Sequence, residues 1–294
     1  MLAARVLRPL TQLKCTDEVQ FLSSPRHGQR VRSMRFGVMQ SFLGLGLLAA
    51  SVAQGAIPAT ERAVLDSLYT STNGQGWTSH LGWEGEPGTE CTWEGIGCSV
   101  PDHVTEIYLL DNHLSGSLPA LAGLTRLQYF DVSINQLSGP IPVLNTLTDL
   151  VAFDAFANSL SGALPDLSGM VQLAEFDVSI NQLGGTIPAL TGLSELFYFN
   201  VSDNRLSGAV PALTGLTQLH HFFIGGNRLT GVAPDPPAPN NLAPGGSNLC
   251  TESVVSGANR LAPTPSDAWN TATATTPWYL TCDTATIFAS GFDD

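Results

Sequence analysis

Asp131, Asp154 and Asp177 recur at an interval of 23 residues, and ring-bearing side chains gather around them at Tyr129, Phe156, Tyr198, His221 and Phe223. Carboxylates accept hydrogen bonds, and aromatic faces stack on sugars or cations. An acidic stripe with aromatic neighbours therefore suits cationic or hydroxyl-rich ligands. Aligned carboxylates have two other chemistries. A neighbouring pair about 5 Å apart could serve a glycosidase as its acid pair. Three in a row could approach Ca²⁺, but that ion takes roughly 6–8 oxygens from a cage, and a flat, solvent-open stripe supplies few. Catalysis finds no further support. The chain lacks G-x-S-x-G, H-E-x-x-H, a P-loop and G-x-G-x-x-G. His80, His103, His113, His220 and His221 lie in no triad-like context and read as surface residues. The expectation is a non-enzyme with no cofactor and no metal.

What aligns these residues is a repeat. Asn112, Asn135, Asn158, Asn181, Asn204 and Asn227 are spaced at 23 without a slip. Each is followed by Leu at +2, Gly at +4 and Pro at +7, and preceded by apolar residues at −3 and −5. A stretch such as Tyr129-Phe130-Asp131-Val132-Ser133 alternates polar and apolar, the pattern of a short strand with one face buried. The Asn that follows turns the chain inward, and its side chain carries donors and an acceptor for the backbone of adjacent coils. Pro ends the return path because it continues neither helix nor sheet. One coil cannot close a core alone, and stacking closes it. The outward-facing positions then form three columns: Tyr108, Asp131, Asp154, Asp177, Asn200, Phe223; Glu106, Tyr129, Ala152, Glu175, Tyr198, His221; and Leu110, Ser133, Phe156, Ser179, Ser202, Gly225. At about 4.8 Å per rung the stack spans roughly 24 Å, room for an extended peptide or oligosaccharide.

The units resemble the plant-type leucine-rich repeat, L-x-x-L-x-x-L-D-L-S-x-N-x-L-x-G-x-I-P. Leu127 to Pro142 matches it closely. The resemblance implies an α/β repeat fold: a solenoid with short parallel strands on the concave face, loops and 3-10 turns on the convex face, and a cap at each end. It also gives the aspartates a second reading, since Asp belongs to the consensus and can serve stacking. One residue of the usual unit is missing between Pro and the next Leu, which shortens the convex side. Trp77, Trp83 and Cys91-Thr-Trp-Glu-Gly-Ile-Gly-Cys98 look like the family's disulfide-closed N-terminal cap. After Pro234 the period stops, and residues 248–282 look like a C-terminal cap stapled by Cys250 and Cys282. The expected organisation is 56–103 as N-terminal cap, 104–234 as six repeats, 235–283 as C-terminal cap and 284–294 as a tail. That tail resembles an I-F-x-x-G-F-[DE] ending of exported gammaproteobacterial proteins.

The front of the chain reads as a targeting segment. Residues 36–57 carry no charge, and the run ends in small residues around Ala53 and Gly55. This is the pattern of a signal peptide, assigned to residues 34–55, with 1–33 read as an over-extended gene start. A stable transmembrane anchor is not expected. The even cysteine count downstream fits an oxidising compartment. From Ala56 onward there are 5 basic and 23 acidic residues, a net charge of −18 that should repel nucleic acid. The resulting expectation is a monomeric, secreted or surface module that binds an extracellular protein, peptide or glycan. The alternatives are a non-specific adhesive surface protein and a carbohydrate-active hydrolase. Mass spectrometry of exported protein should find the N-terminus at Gln54 or Ala56, and an exported form retaining residues 1–50 would overturn the targeting assignment.

Overall fold

The computed structural model describes residues 56–99, 102–250, 258–262 and 266–282. The segments read from sequence as an over-extended start, a signal peptide and a tail lie outside the described residues. In chain order the elements begin with α1 (Ala59–Ser71), β1 (Ile96–Ser99), β2 (His103–Tyr108), β3 (Ser115–Ser117), β4 (Tyr129–Asp131), β5 (Gln136–Gly139), β6 (Ala152–Asp154) and β7 (Ser159–Ala163). They continue with β8 (Glu175–Asp177), β9 (Gln182–Gly184), β10 (Tyr198–Asn200), β11 (Ser207–Gly208), β12 (His221–Phe223), β13 (Arg228–Val232), β14 (Ser247–Asn248), β15 (Arg260–Ala262) and α2 (Asp267–Thr273). The concave sheet has the order β1-β2-β4-β6-β8-β10-β12-β14 and is parallel from β2 onward.

The repeat dictates this arrangement residue by residue. The apolar position before each strand's last residue stacks into a phenylalanine spine: Phe130, Phe153, Phe176, Phe199 and Phe222 sit 5.4–5.8 Å apart, ring on ring. Leu114, Leu137, Leu160, Leu183, Leu206 and Leu229 are all fully buried behind it. The repeated glycines, from Gly116 to Gly231, hold φ between 77° and 102°, a region closed to most side chains, which is why the repeat keeps Gly there. They lie within or next to the short strands of two further sheets, β3-β5-β7-β9 and β11-β13-β15. These strands are not legible in the sequence, because a return path of Ser, Gly and Gln has no apolar alternation to read.

The asparagines link successive coils. Asn181 is typical: its Oδ1 accepts from Leu160 N (2.8 Å), and its Nδ2 donates to Ala155 O, Val178 O and Ser179 O (3.0–3.2 Å). Asn112, Asn181, Asn204 and Asn227 are buried; Asn135 and Asn158 bond the same way but are only half-buried. At the start of the stack Asn112 exchanges two bonds with the backbone of Ser79, tying the first coil to the segment before it.

Both ends are closed. In the N-terminal region α1 buries Leu65, Leu68 and Tyr69, and Tyr69, Trp77, Trp83 and Trp93 pack ring against ring. The buried Glu61 accepts from Val104 N at 2.8 Å and pairs with His103 Nδ1 at 2.6 Å, so His103 is not the plain surface residue expected from sequence. Arg62 reaches Glu90 and lies over the Trp93 ring. Cys91 is bonded to Cys98 and Cys250 to Cys282.

The expectation that the repeat stops at Pro234 needs correction. β14 extends the concave sheet and β15 extends the opposite one. Between them the fully buried Asn259 takes the next place in the asparagine column, accepting from Leu229 N (2.9 Å) and donating to Ile224 O and Leu249 O. A seventh coil is present, and Trp269 packs on the last ring of the spine at 6.2 Å. Asn227 is therefore an interior position. Asn227→Ala should cost at least as much as Asn158→Ala, with each orphaned buried group worth about 1–3 kcal/mol. Urea unfolding of both variants checks this, and a near-neutral Asn227→Ala would mean that the seventh coil does not hold the sixth.

Candidate ligand-binding face

The strand register brings the expected columns together. Glu106, Tyr129, Ala152, Glu175, Tyr198 and His221 are successive partners across the sheet, as are Tyr108, Asp131, Asp154, Asp177, Asn200 and Phe223. The chemistry divides along the stack. Tyr108 and Tyr129 stack at 6.5 Å at one end. Tyr198, His221 and Phe223 gather within 5.6–6.1 Å at the other, beside Phe197 and His220. The acids Asp131, Asp154, Glu175 and Asp177 lie between them. Phe156 is half-buried at the lateral edge of that acidic zone.

The aspartates are not equivalent. Asp131 Oδ1 accepts from both the amide and the hydroxyl of Ser133. Asp177 Oδ1 does the same with Ser179, and its Oδ2 accepts from Asn200 Nδ2 (3.0 Å) and Tyr198 OH (3.3 Å). Asn200 repeats the pattern with Ser202. Each of these side chains closes a local turn, which supports the stacking role as well as any binding role. Asp154 departs from the pattern. Phe156 stands where the serine would be, and among the described residues one long amide contact of 3.4 Å is the only hydrogen bond the carboxyl accepts.

The solvent-open stripe expected from sequence is also corrected. Asp177 is 9% exposed, and Asp154 and Glu175 are half-buried. Burial, reinforced by the charges of Asp131 and Asp177, pushes the Asp154 carboxyl up to about 9. Burial and the same neighbours push Glu175 up to about 7, and burial raises Asp177 and the Tyr198 phenol as well. Packing caused this and sequence could not show it: Tyr198 and Asn200 close over Asp177 from the next rung.

No protein-family model matches the sequence, and no curated protein does. Solved structures do. The ectodomain of the receptor kinase SOBIR1 from Arabidopsis thaliana matches with a TM-score of 0.50 and 24% identity, over 60% of this chain and 97% of its own. The PEPR1–AtPEP1 complex matches with a TM-score of 0.57 and 23% identity, over 72% of this chain and 30% of its own. The fold is a leucine-rich-repeat solenoid. Of the candidate residues, Tyr129, Asp131, Asp154, Asp177, Tyr198, His221 and Phe223 lie on the strands of that sheet, and Phe156 lies just past β6. Ile134 and Ile180, the residues before two ladder asparagines, are exposed.

The raised carboxyls set a pH dependence. An unfolded carboxyl ionises near pH 4, whereas Asp154 and Glu175 keep their protons well above that. Between about pH 4 and pH 9 the unfolded chain binds fewer protons than the folded one, so stability falls as pH rises. Asp154→Asn, a neutral isostere, should stabilise the fold by about 1–2 kcal/mol at pH 8, roughly 2–8 °C in Tm. At pH 4 it should change little. A thermal melt series from pH 4 to 9 tests this, and a wild-type Tm that rises across the window would contradict it.

Proposed function

We propose that the chain is a secreted or surface-exposed binding module that holds an extracellular peptide, protein or glycan on its concave sheet. One observation carries the reading: the six rungs align aromatic ends and an acidic middle on one face, and none of the three columns contains Lys or Arg. Aromatic anchors dominate interface energies where they are partly desolvated. Tyr198, His221 and Phe223 are half-buried and form such a patch. Compatible with an extracellular place are the two disulfides and the likeness in fold to a receptor ectodomain. Among the described residues no helix is long and apolar enough to cross a membrane. The N-terminal cap boundary read from sequence and the monomeric state belong to the same proposal.

The competing structural role for the aromatic patch has some basis, because Gly246 O sits 3.2 Å from His221 Nδ1 and β14 pairs beside it. A hydrolase reading has one observation in its favour, the raised Asp154 carboxyl. Probing glycan and peptide arrays with the full chain separates these readings. Tyr198→Ala combined with His221→Ala should abolish capture while shifting Tm by only a few degrees. Capture unchanged in the folded double variant would reject this end of the face. Release of reducing ends from soluble glycans, lost in Asp154→Asn, would replace the binding reading with a hydrolase.

A further inference from the structure

Five rings meet at the C-terminal end of the concave face, on or just before strands β10 and β12. Tyr198, His221 and Phe223 lie 5.6–6.1 Å apart. Phe197 joins them edge-on to His221 at 5.5 Å and stacks on His220 at 4.5 Å. All five are half-buried, so each keeps part of its surface in water.

The rung beyond them is built around these side chains. Phe222 and Phe223 pair with Ser247 and Asn248, which sets Gly246 beside His221. A Cβ on Gly246 would lie 2.7 Å from His221 Nδ1 and 2.8 Å from the Ala243 methyl, and one on Gly225 would overlap the Asn248 amide. Neither glycine is in the left-handed region, so space and not backbone conformation accounts for both. The His221 ring and the Asn248 amide thus lie in room that two missing side chains leave.

Charge and hydrogen bonding select the occupant. Asp177 Oδ2 accepts from Tyr198 OH and Asn200 Nδ2, and Asn200 Oδ1 accepts from Ser202, so the polar groups bordering the rings are tied to one another. None of the three columns contains Lys or Arg, and the chain from Ala56 onward has 5 basic and 23 acidic residues, which disfavours an anionic ligand. An extended peptide laid on the rings would bring an N–H and a C=O with every residue. Ring faces offer those groups no partner, and the strand amides beneath are committed to the sheet. A pyranose divides its chemistry differently. Its C–H bonds gather on one face, which stacks on an aromatic ring, and its hydroxyls stand round the rim within reach of water and side-chain amides.

Resting on the concave-face reading above, we infer that this end of the sheet is a sugar subsite: Tyr198, His221 and Phe223 take the C–H face of an uncharged pyranose unit of an extracellular glycan, Asn248 meets its hydroxyl rim, and Phe197 and His220 extend the platform to the neighbouring unit.

The test probes the full chain on an array of neutral and acidic oligosaccharides and on a peptide array, then titrates the best neutral oligosaccharide by calorimetry. Neutral glycans should be captured in preference to those bearing uronate or sulfate. Phe223→Leu keeps apolar volume and loses the ring face, so it should weaken the titrated oligosaccharide by roughly threefold to tenfold. Gly246→Ala displaces the His221 ring without removing it and should weaken the same oligosaccharide. Capture of acidic glycans alone, or unchanged titration of folded Phe223→Leu, would overturn the subsite. If peptides alone are captured and Tyr198→Ala with His221→Ala removes that signal, the sugar subsite fails while the concave-face reading stands. If neither array gives a signal that the double variant removes, both fail.

Discussion

A coil of this solenoid ends its strand and turns with backbone amides and carbonyls facing the interior, where water cannot serve them. The asparagine column answers that need. Each amide group accepts from the preceding coil and donates to carbonyls of two coils, so one side chain fixes both the turn and the spacing to its neighbour. A buried polar group without a partner costs about 1–3 kcal/mol, so any slip of register would orphan several at once. The phenylalanine spine and the leucine layer follow from that constraint: they fill a volume whose repeat the asparagines have already set.

The same rigidity makes the concave face a positioned surface. Because register is fixed rung by rung, outward side chains three or four coils apart in sequence stand in straight columns, and aromatic and acidic positions sort into zones. Crowding of like charges is a consequence. The fold holds Asp131, Asp154, Glu175 and Asp177 close together regardless of their repulsion, and it accommodates them by keeping protons on some of them. A flexible surface would have let these carboxyls spread into water and ionise.

Much of this was legible in the sequence, and the reasons differ by feature. The ladder and the columns could be read because the period of 23 never slips between Asn112 and Asn227. The seventh coil was hidden although its signature is present: Asn259-Arg260-Leu261 repeats Asn227-Arg228-Leu229, but 32 residues later, because an insertion precedes the asparagine and leaves the hydrogen-bond pattern intact. The burial of Asp177 was not legible at all. It depends on the hydroxyl of Tyr198 and the amide of Asn200 leaning back from the next rung, and both residues look like ordinary surface positions in a linear pattern.

The consensus Asp-x-Ser pair helps explain why the third rung differs from its neighbours in kind. Where Ser follows at +2, the carboxylate is consumed by its own turn, and Asp131 and Asp177 are in this sense structural residues that happen to face outward. With Phe156 in place of the serine, the Asp154 carboxyl loses the hydroxyl donor and keeps one long amide contact, while strand pairing on both sides fixes its backbone. The repeat thus contains its own means of making a site. A rung with the serine satisfies its own carboxylate, and the rung without it keeps only the long amide contact to Phe156. Isoleucine at the two flanking left-handed positions works in the same direction, since it gives up backbone comfort for exposed apolar area. The departures from the repeat thus change the local hydrogen bonding and exposure of single rungs while the strand register stays the same.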